Sequence, residues 1–322
     1  MVFLGYHASH EQLPPSALLT AVQDAEAAGF DGAMCSDHLA PWGVRQGESG
    51  YAWSWLGAAL ARTSFSFGVV TAPGQRYHPV IAAQAIGTLE EMFPGRFWAC
   101  LGSGEAMNEH VTGDPWPPKG FRDDRLDESH DVISRLLAGE EVSHEGTVRV
   151  HRARLWSRPA EPPPLFAAAV ASETAAHVAG WADGLVTVAQ DRAALEDVVA
   201  AYRGAGGRGP LALQTHVALA EDRETALAIV RDQWRHAAVT GPRLWDVEQP
   251  EDFDAAAKGV DDETLLKSVL IASDARDLAA QIVERADAGF DRIYLHHVGK
   301  EQGPFIERAQ RELLPALREL LP

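Results

Sequence analysis

Thiols are scarce in this chain of 322 residues, which has only two cysteines, and no apolar run approaches the eighteen or so residues that cross a bilayer. Cys35 and Cys100 both fall inside predicted strands, so a disulfide framework is excluded; with no secretory signal pattern, a cytoplasmic protein without a membrane partner is expected. Basic charge is also short: 28 Lys and Arg stand against 46 Asp and Glu, a formal net charge of -18. Such a surface repels phosphates over much of its area, so no nucleic-acid partner is expected. Several chemical signatures are missing too. There is no HExxH, no Walker loop, no Cys-x-x-Cys and no Rossmann glycine pattern followed by an acidic residue, so no metal site is expected.

What the sequence does have is alternation. Eight short apolar runs, Val2 to Gly5, Gly32 to Ser36, Phe65 to Thr71, Arg96 to Leu101, Leu165 to Ala169, Gly184 to Ala189, Leu211 to Leu219 and Arg292 to Val298, are separated by helical patterns. Eight alternating units predict an α/β fold of the TIM-type (β/α)8 barrel class, a single domain over residues 1–322. A junction recurs in Ala28-Gly29-Phe30-Asp31, Ala179-Gly180-Trp181-Ala182-Asp183 and Ala288-Gly289-Phe290-Asp291: a helix stops at glycine, an aromatic packs beneath, and an Asp precedes the next strand. Three stretches exceed simple loops. They are Leu39 to Tyr51 after the second strand, Gly102 to Ala160 after the fourth, with a hairpin predicted over Val142 to Trp156, and Ala237 to Ser268 after the seventh. All three leave the C-terminal ends of strands, the barrel face where active sites form.

Three segments at those ends carry possible chemistry. In Cys35-Ser36-Asp37-His38-Leu39-Ala40-Pro41-Trp42, neighbouring Asp37 and His38 point to opposite sides of a strand and should take different roles; an imidazole there can exchange protons near neutrality. In Gly102-Ser103-Gly104-Glu105-Ala106-Met107-Asn108-Glu109, glycines permit close backbone approach to a flat ligand, and Glu105, Asn108 and Glu109 share one face of a helical turn. The third, Phe67 to Pro79, is a β-branched run ending in glycine and proline, where strained backbone can gather.

These segments resemble the luciferase-like flavin and deazaflavin oxidoreductases, and within them the branch of the coenzyme-F420-dependent glucose-6-phosphate dehydrogenases. The resemblance rests on Leu4-Gly5-Tyr6, Ser36-Asp37-His38 with Pro41-Trp42, Ser54-Trp55, Arg76-Tyr77 with Pro79, Gly104-Glu105-Ala106 with Asn108-Glu109, Thr112-Gly113, Asp183-Gly184 and Ala272-Ser273-Asp274. It implies a barrel, usually dimeric, with an isoalloxazine-type ring at its C-terminal mouth and FMN or coenzyme F420 as cofactor. By position it makes His38, Trp42 and Glu105 catalytic, and places Asp37, Val69, Val70, Thr71, Gly102, Ser103, Gly104, Asn108, Ala168, Ala169 and Val170 around the cofactor. A non-proline cis peptide would lie at Val69–Val70 or Val70–Thr71. Trp42, Trp53 and Trp55 would form an aromatic wall that excludes water, although Trp55, on a helix, suits the core better.

Two departures shape the expected activity. Where the branch has cationic side chains for a substrate phosphate, this chain has Asp191, Leu244 and Ser268, so glucose 6-phosphate is not the expected substrate. The branch's glycine-rich loop after the fifth strand reads Ala168-Ala169-Val170-Ala171, which narrows backbone approach to a cofactor phosphate. His7-Ala8-Ser9-His10-Glu11-Gln12 and Pro115-Trp116-Pro117-Pro118-Lys119 also resemble a sub-branch described as non-F420 flavin oxidoreductases. The expected function is hydride transfer between FMN or F420 and a small organic substrate. An oxygen-using FMN monooxygenase and a non-catalytic flavin-binding protein are the alternatives.

Overall fold

In the computed structural model, which describes residues 2–239 and 244–321, eight parallel strands close a barrel. Numbered in chain order, the strands are β1 (Phe3–Ala8), β2 (Gly32–Ser36), β3 (Phe67–Thr71), β4 (Phe97–Leu101), β5 (Val142–Glu145), β6 (Arg149–Ala153), β7 (Leu165–Ala168), β8 (Leu185–Val188), β9 (Leu211–Leu219), β10 (Val269–Ala272) and β11 (Arg292–His297). The barrel runs β1-β2-β3-β4-β7-β8-β9-β11 and returns to β1. Long β9 makes the closure: Leu211 to Gln214 pair with β8, and Ala212 to Val217 with β11. Its last residues, His216 to Leu219, pair with β10, a further parallel strand that the sequence pattern did not reveal.

Glycine decides how the lower barrel fills. A Cβ at Gly68 would stand 1.9 Å from the Trp98 ring, and one at Gly5 would stand 2.3 Å from Tyr294. Both clashes are far inside contact distance, so the glycines make room for a plug in which Trp98 packs on Phe166 at 4.8 Å and on Tyr294 at 5.9 Å. A barrel plugged at one end leaves only its other end for a ligand.

The recurring Asp has a structural task. Asp31, Asp183 and Asp291 each accept from a backbone N–H at the start of the preceding barrel strand, at Leu4 (2.8 Å), Leu165 (2.9 Å) and Leu211 (2.8 Å). Each also donates its own N–H to that same residue's carbonyl. Strand starts are thereby clamped in pairs.

The second insertion holds a short helix Ala106–Glu109, a long helix Lys119–Leu137 and the antiparallel pair β5–β6, matching the expected hairpin. The third holds helices Pro250–Ala256 and Asp262–Leu265; its residues 240–243 lie outside the described ones. β3 corrects one expectation. No cis peptide occurs among the described residues, and β3 keeps parallel register with β2 through Val70 and with β4 through Thr71, an unbroken pairing that leaves no bulge.

Candidate active site

A cleft of about 200 Å³ opens at the C-terminal end of the barrel. Its floor and one wall are small or apolar: Val70, Ala72, Gly102, Ala168, Ala169 and Val170. Its polar side carries Asp37, His38, Glu105 and Asn108, and insertion residues Arg122 and Trp245 edge it. Thr71, Ser103 and Gly104 also line it, so of the residues expected around a cofactor only Val69 lies elsewhere. Alternation along β3 explains the exception: Gly68 and Val70 point into the barrel, and Val69 packs outward in the main core under the helices.

Glu11, just past the end of β1, pairs with His38: its Oε1 lies 2.6 Å from Nδ1, and its Oε2 accepts from Ser9 Oγ at 2.6 Å. On the other side, His38 Nε2 stands 3.8 Å from Glu105 Oε2. The result is a carboxylate, an imidazole and a second carboxylate in a row. The His38 and Glu105 side chains are 14% and 20% exposed and can meet a ligand, whereas Glu11 at 2% is sealed behind them.

Charge orders the three groups. Burial pushes His38 down, but the Glu11 carboxylate, helped by Glu105, outweighs it and leaves the imidazole above its usual value. Burial also disfavours the Glu11 anion, yet His38 and the Ser9 hydroxyl hold it well below the usual carboxylate range. Glu105 goes the other way: burial, reinforced by the Glu11 charge, raises it despite the neighbouring imidazole. One carboxylate is held ionised and the other is biased toward keeping a proton.

Asn108 fixes this row from the short helix: Nδ2 donates to Glu105 Oε2 at 3.2 Å, and Oδ1 accepts from the Leu39 N–H at 2.8 Å, next to His38. Asp37 takes different partners from His38. Its carboxylate accepts from Trp53 Nε1 (3.0 Å), Thr71 Oγ1 (2.9 Å) and the Tyr77 hydroxyl (3.2 Å), with Arg76 3.4 Å away. A carboxylate so occupied braces the strand ends where it borders the cleft, with Trp53, Thr71 and Arg76 on Oδ2 and Tyr77 on Oδ1.

The tryptophans divide differently from the expected wall. Trp42 stands edge-on to His38 at 5.1 Å and stacks on His236 at 5.4 Å, backing the imidazole from outside the cleft. Trp53 is spent on Asp37, and Trp55 is core, packed on Phe67 and donating to the Pro15 carbonyl. Glu11 and Arg122 were not singled out from the sequence. Glu11 was findable, since it follows the first strand at the catalytic end of a barrel; Arg122 lies in a charged helix, where one arginine looks like any other.

Residues 1–292 match the family described as luciferase-like monooxygenase. The chain is 33% identical to an F420-dependent glucose-6-phosphate dehydrogenase of Intrasporangium calvum, covering 99% of this chain and all of that one. It is 34% identical to one of Beutenbergia cavernae, covering 99% and 98%. Among solved structures, an F420-dependent secondary alcohol dehydrogenase in complex with an F420-acetone adduct superposes with a TM-score of 0.92 at 28% identity, over 98% of this chain and 99% of that one. An EDTA monooxygenase from Chelativorans shares the fold, with a TM-score of 0.78 at 13% identity over 100% and 95% of the two chains. With a closed parallel barrel, a carboxylate–imidazole–carboxylate row at its mouth and a match along nearly its whole length, the chain belongs to the luciferase-like monooxygenase family and is an oxidoreductase of that family.

Proposed function

We propose that this protein transfers a hydride between coenzyme F420 or FMN and a small uncharged alcohol or carbonyl compound. The observation that carries the reading is the Glu11, His38, Glu105 row beside an apolar cleft. The cleft suits a flat ring: Val70, Gly102, Ala168 and Ala169 offer side chains small enough for face-on approach, and Arg122 at one edge has a buried Nε without a partner. Those residues, with Ser103 and Gly104, would hold the cofactor. When bound, the ring accepts or supplies the hydride.

The chain's own residues supply the rest. Glu11 holds His38 by Nδ1, leaving Nε2 toward Glu105 as the atom that takes a proton from a substrate hydroxyl, or returns it to a carbonyl. Glu105, biased toward its protonated form, delivers or receives the proton on the cofactor side, with Asn108 keeping its carboxyl in place. The apolar wall keeps water from the reacting carbons, which must be held in contact for hydride transfer.

The substrate reading rests on what surrounds the positions where a sugar phosphate would need cations. Asp191 is exposed and caps the helix Arg192–Gly204 by accepting from the Ala194 N–H at 3.0 Å, and Ser268 bonds to the Leu265 carbonyl. Neither they nor Leu244 lines the cleft. Although relatives are named for glucose 6-phosphate, these positions offer its dianion no countercharge. Pairing with a second copy is part of this reading because the family resemblance implies it, and size-exclusion chromatography tests it.

The direct test is anaerobic loss of the oxidised cofactor's visible absorbance, with F420 and FMN in turn, against secondary alcohols and glucose 6-phosphate. Turnover of an alcohol supports the reading. Efficient turnover of glucose 6-phosphate overturns the substrate class, and turnover that requires oxygen would point to a monooxygenase.

A further inference from the structure

Helix Lys119–Leu137 buries two arginines, Arg122 and Arg125, one turn apart beside the cleft, in a chain whose acidic residues outnumber its basic ones by far. Arg122 is 6% exposed and lines the cleft. Its guanidinium lies over the Trp116 ring at 4.5 Å, and one terminal nitrogen reaches the Gly104 carbonyl at 3.4 Å, a long bond. Its Nε has no partner, and among the described residues no carboxylate lies within 4 Å of the group; Asp246, Asp123 and Glu105 act only from farther away. Of the other nearby cations, Arg76 is held by Asp37 and Glu109 and Lys119 by Asp123; Arg125 also has no carboxylate within 4 Å among the described residues, but it is bonded to the Gln75 side chain at 3.0 Å and does not line the cleft. A buried guanidinium without countercharge is costly, and burial already lowers its hold on its proton.

Resting on the oxidoreductase reading above, we propose that Arg122 is the anchor for the cofactor's phosphate group, its unpartnered Nε and stacked guanidinium forming the cationic end of the ring cleft. The chemistry fits the group. A planar guanidinium offers parallel donors to a phosphate, stacking on Trp116 fixes its plane in advance, and an anion completes the charge that the fold leaves open. The loop Ala168-Ala169-Val170-Ala171 borders the same cleft with side chains where glycine would have let backbone N–H groups approach, so a side-chain cation takes up that task. Phosphate monoester of FMN and phosphodiester of F420 share this chemistry.

Binding titrations by protein fluorescence separate the phosphate from the ring. Wild-type protein is titrated with FMN against riboflavin, and with F420 against its deazaflavin ring lacking the phosphodiester side chain. Wild type should favour the phosphorylated member of at least one pair by about ten- to a hundredfold, the range of a charge-assisted contact. R122Q should lose most of that preference while binding the phosphate-free ring as before, and R122K should restore part of it. Which pair shows the preference names the cofactor. Because Arg122→Gln removes an unpaired buried charge, the ligand-free variant should melt at the same temperature or higher, an outcome that a merely structural arginine would not give. Equal wild-type affinity within both pairs, or a variant that weakens phosphorylated and phosphate-free rings alike, overturns the proposal and leaves the oxidoreductase reading standing. A wild type that binds none of the four sinks both, and should R122Q fail to fold, R122K carries the comparison while equal wild-type affinities still overturn the proposal.

Discussion

At the scale of single residues, Glu11 and Glu105 are the same side chain with opposite proton affinities, and the difference comes from whether His38 or burial dominates. Glu105→Gln keeps the shape and the Asn108 contact but cannot give up a proton as an acid. Cofactor affinity should stay within about threefold while turnover falls about 10²-fold or more; unchanged turnover on a confirmed substrate would remove Glu105 from the mechanism. Glu11→Gln is read by pH. With Glu11 ionised, His38 holds its proton above the usual range, so as a base in alcohol oxidation it becomes active only as pH rises through that raised value. Removing the carboxylate leaves burial to act alone, which pushes the imidazole down. The acidic limb of kcat/KM should therefore move to lower pH in Glu11→Gln, and a limb that stays put assigns it to another group. His38→Ala should abolish that limb and cut turnover on the scale of the Glu105 variant.

Among the elements, legibility followed how local each signal is. The eight barrel strands could be read because buried parallel strands are short apolar runs bounded by turns, and Asp37, His38, Glu105 and Asn108 could be placed because strand ends give their position away. β10 was hidden: four apolar residues behind an irregular insertion carry no periodicity to separate strand from helix. Val69 was misplaced for a different reason, since a run of pocket residues read along the chain ignores the alternation that turns every second one outward. The repeated Asp was visible as a pattern, but its reach to a neighbouring strand is a tertiary fact. Asp183 tests that clamp. Its Oδ2 accepts from the Leu165 N–H, so Asp183→Ala strands a part-buried donor at the plugged end, away from the Glu11, His38 and Glu105 row at the mouth. Stability should fall by about 1–3 kcal/mol in chemical denaturation, with cofactor affinity unchanged; a stable variant would make the Asp incidental.

For the whole molecule, the same barrel mouth that tunes His38 upward fills its other half with imidazoles tuned down. His7 and His216 flank His296 at 4.5 and 5.2 Å, and Trp234 packs on His216, His296 and His236. Burial lowers His7 and His236 to about 3, and His10, His216 and His297 to about 4; His296, among other histidines, lies well below its usual value. These six are neutral in the folded protein, whereas in the unfolded chain they bind protons as pH falls through about 6.5. Unfolding then takes up protons, so stability declines with falling pH, by about 1.4 kcal/mol per histidine for each unit below that value. His38 has the opposite sign, contributing fully below 6.5 and losing its contribution as pH rises, but it is one group against six. At about pH 5.5 the six together cost on the order of 8 kcal/mol, comparable to the whole stability of an ordinary domain, about 5–15 kcal/mol. Cooperative acid unfolding should therefore centre between about pH 5 and 6, above the carboxylate range, with uptake of several protons. Circular dichroism and tryptophan fluorescence followed together against pH check this, and a fold intact at about pH 4 would mean that the imidazoles find water or partners inside the barrel mouth.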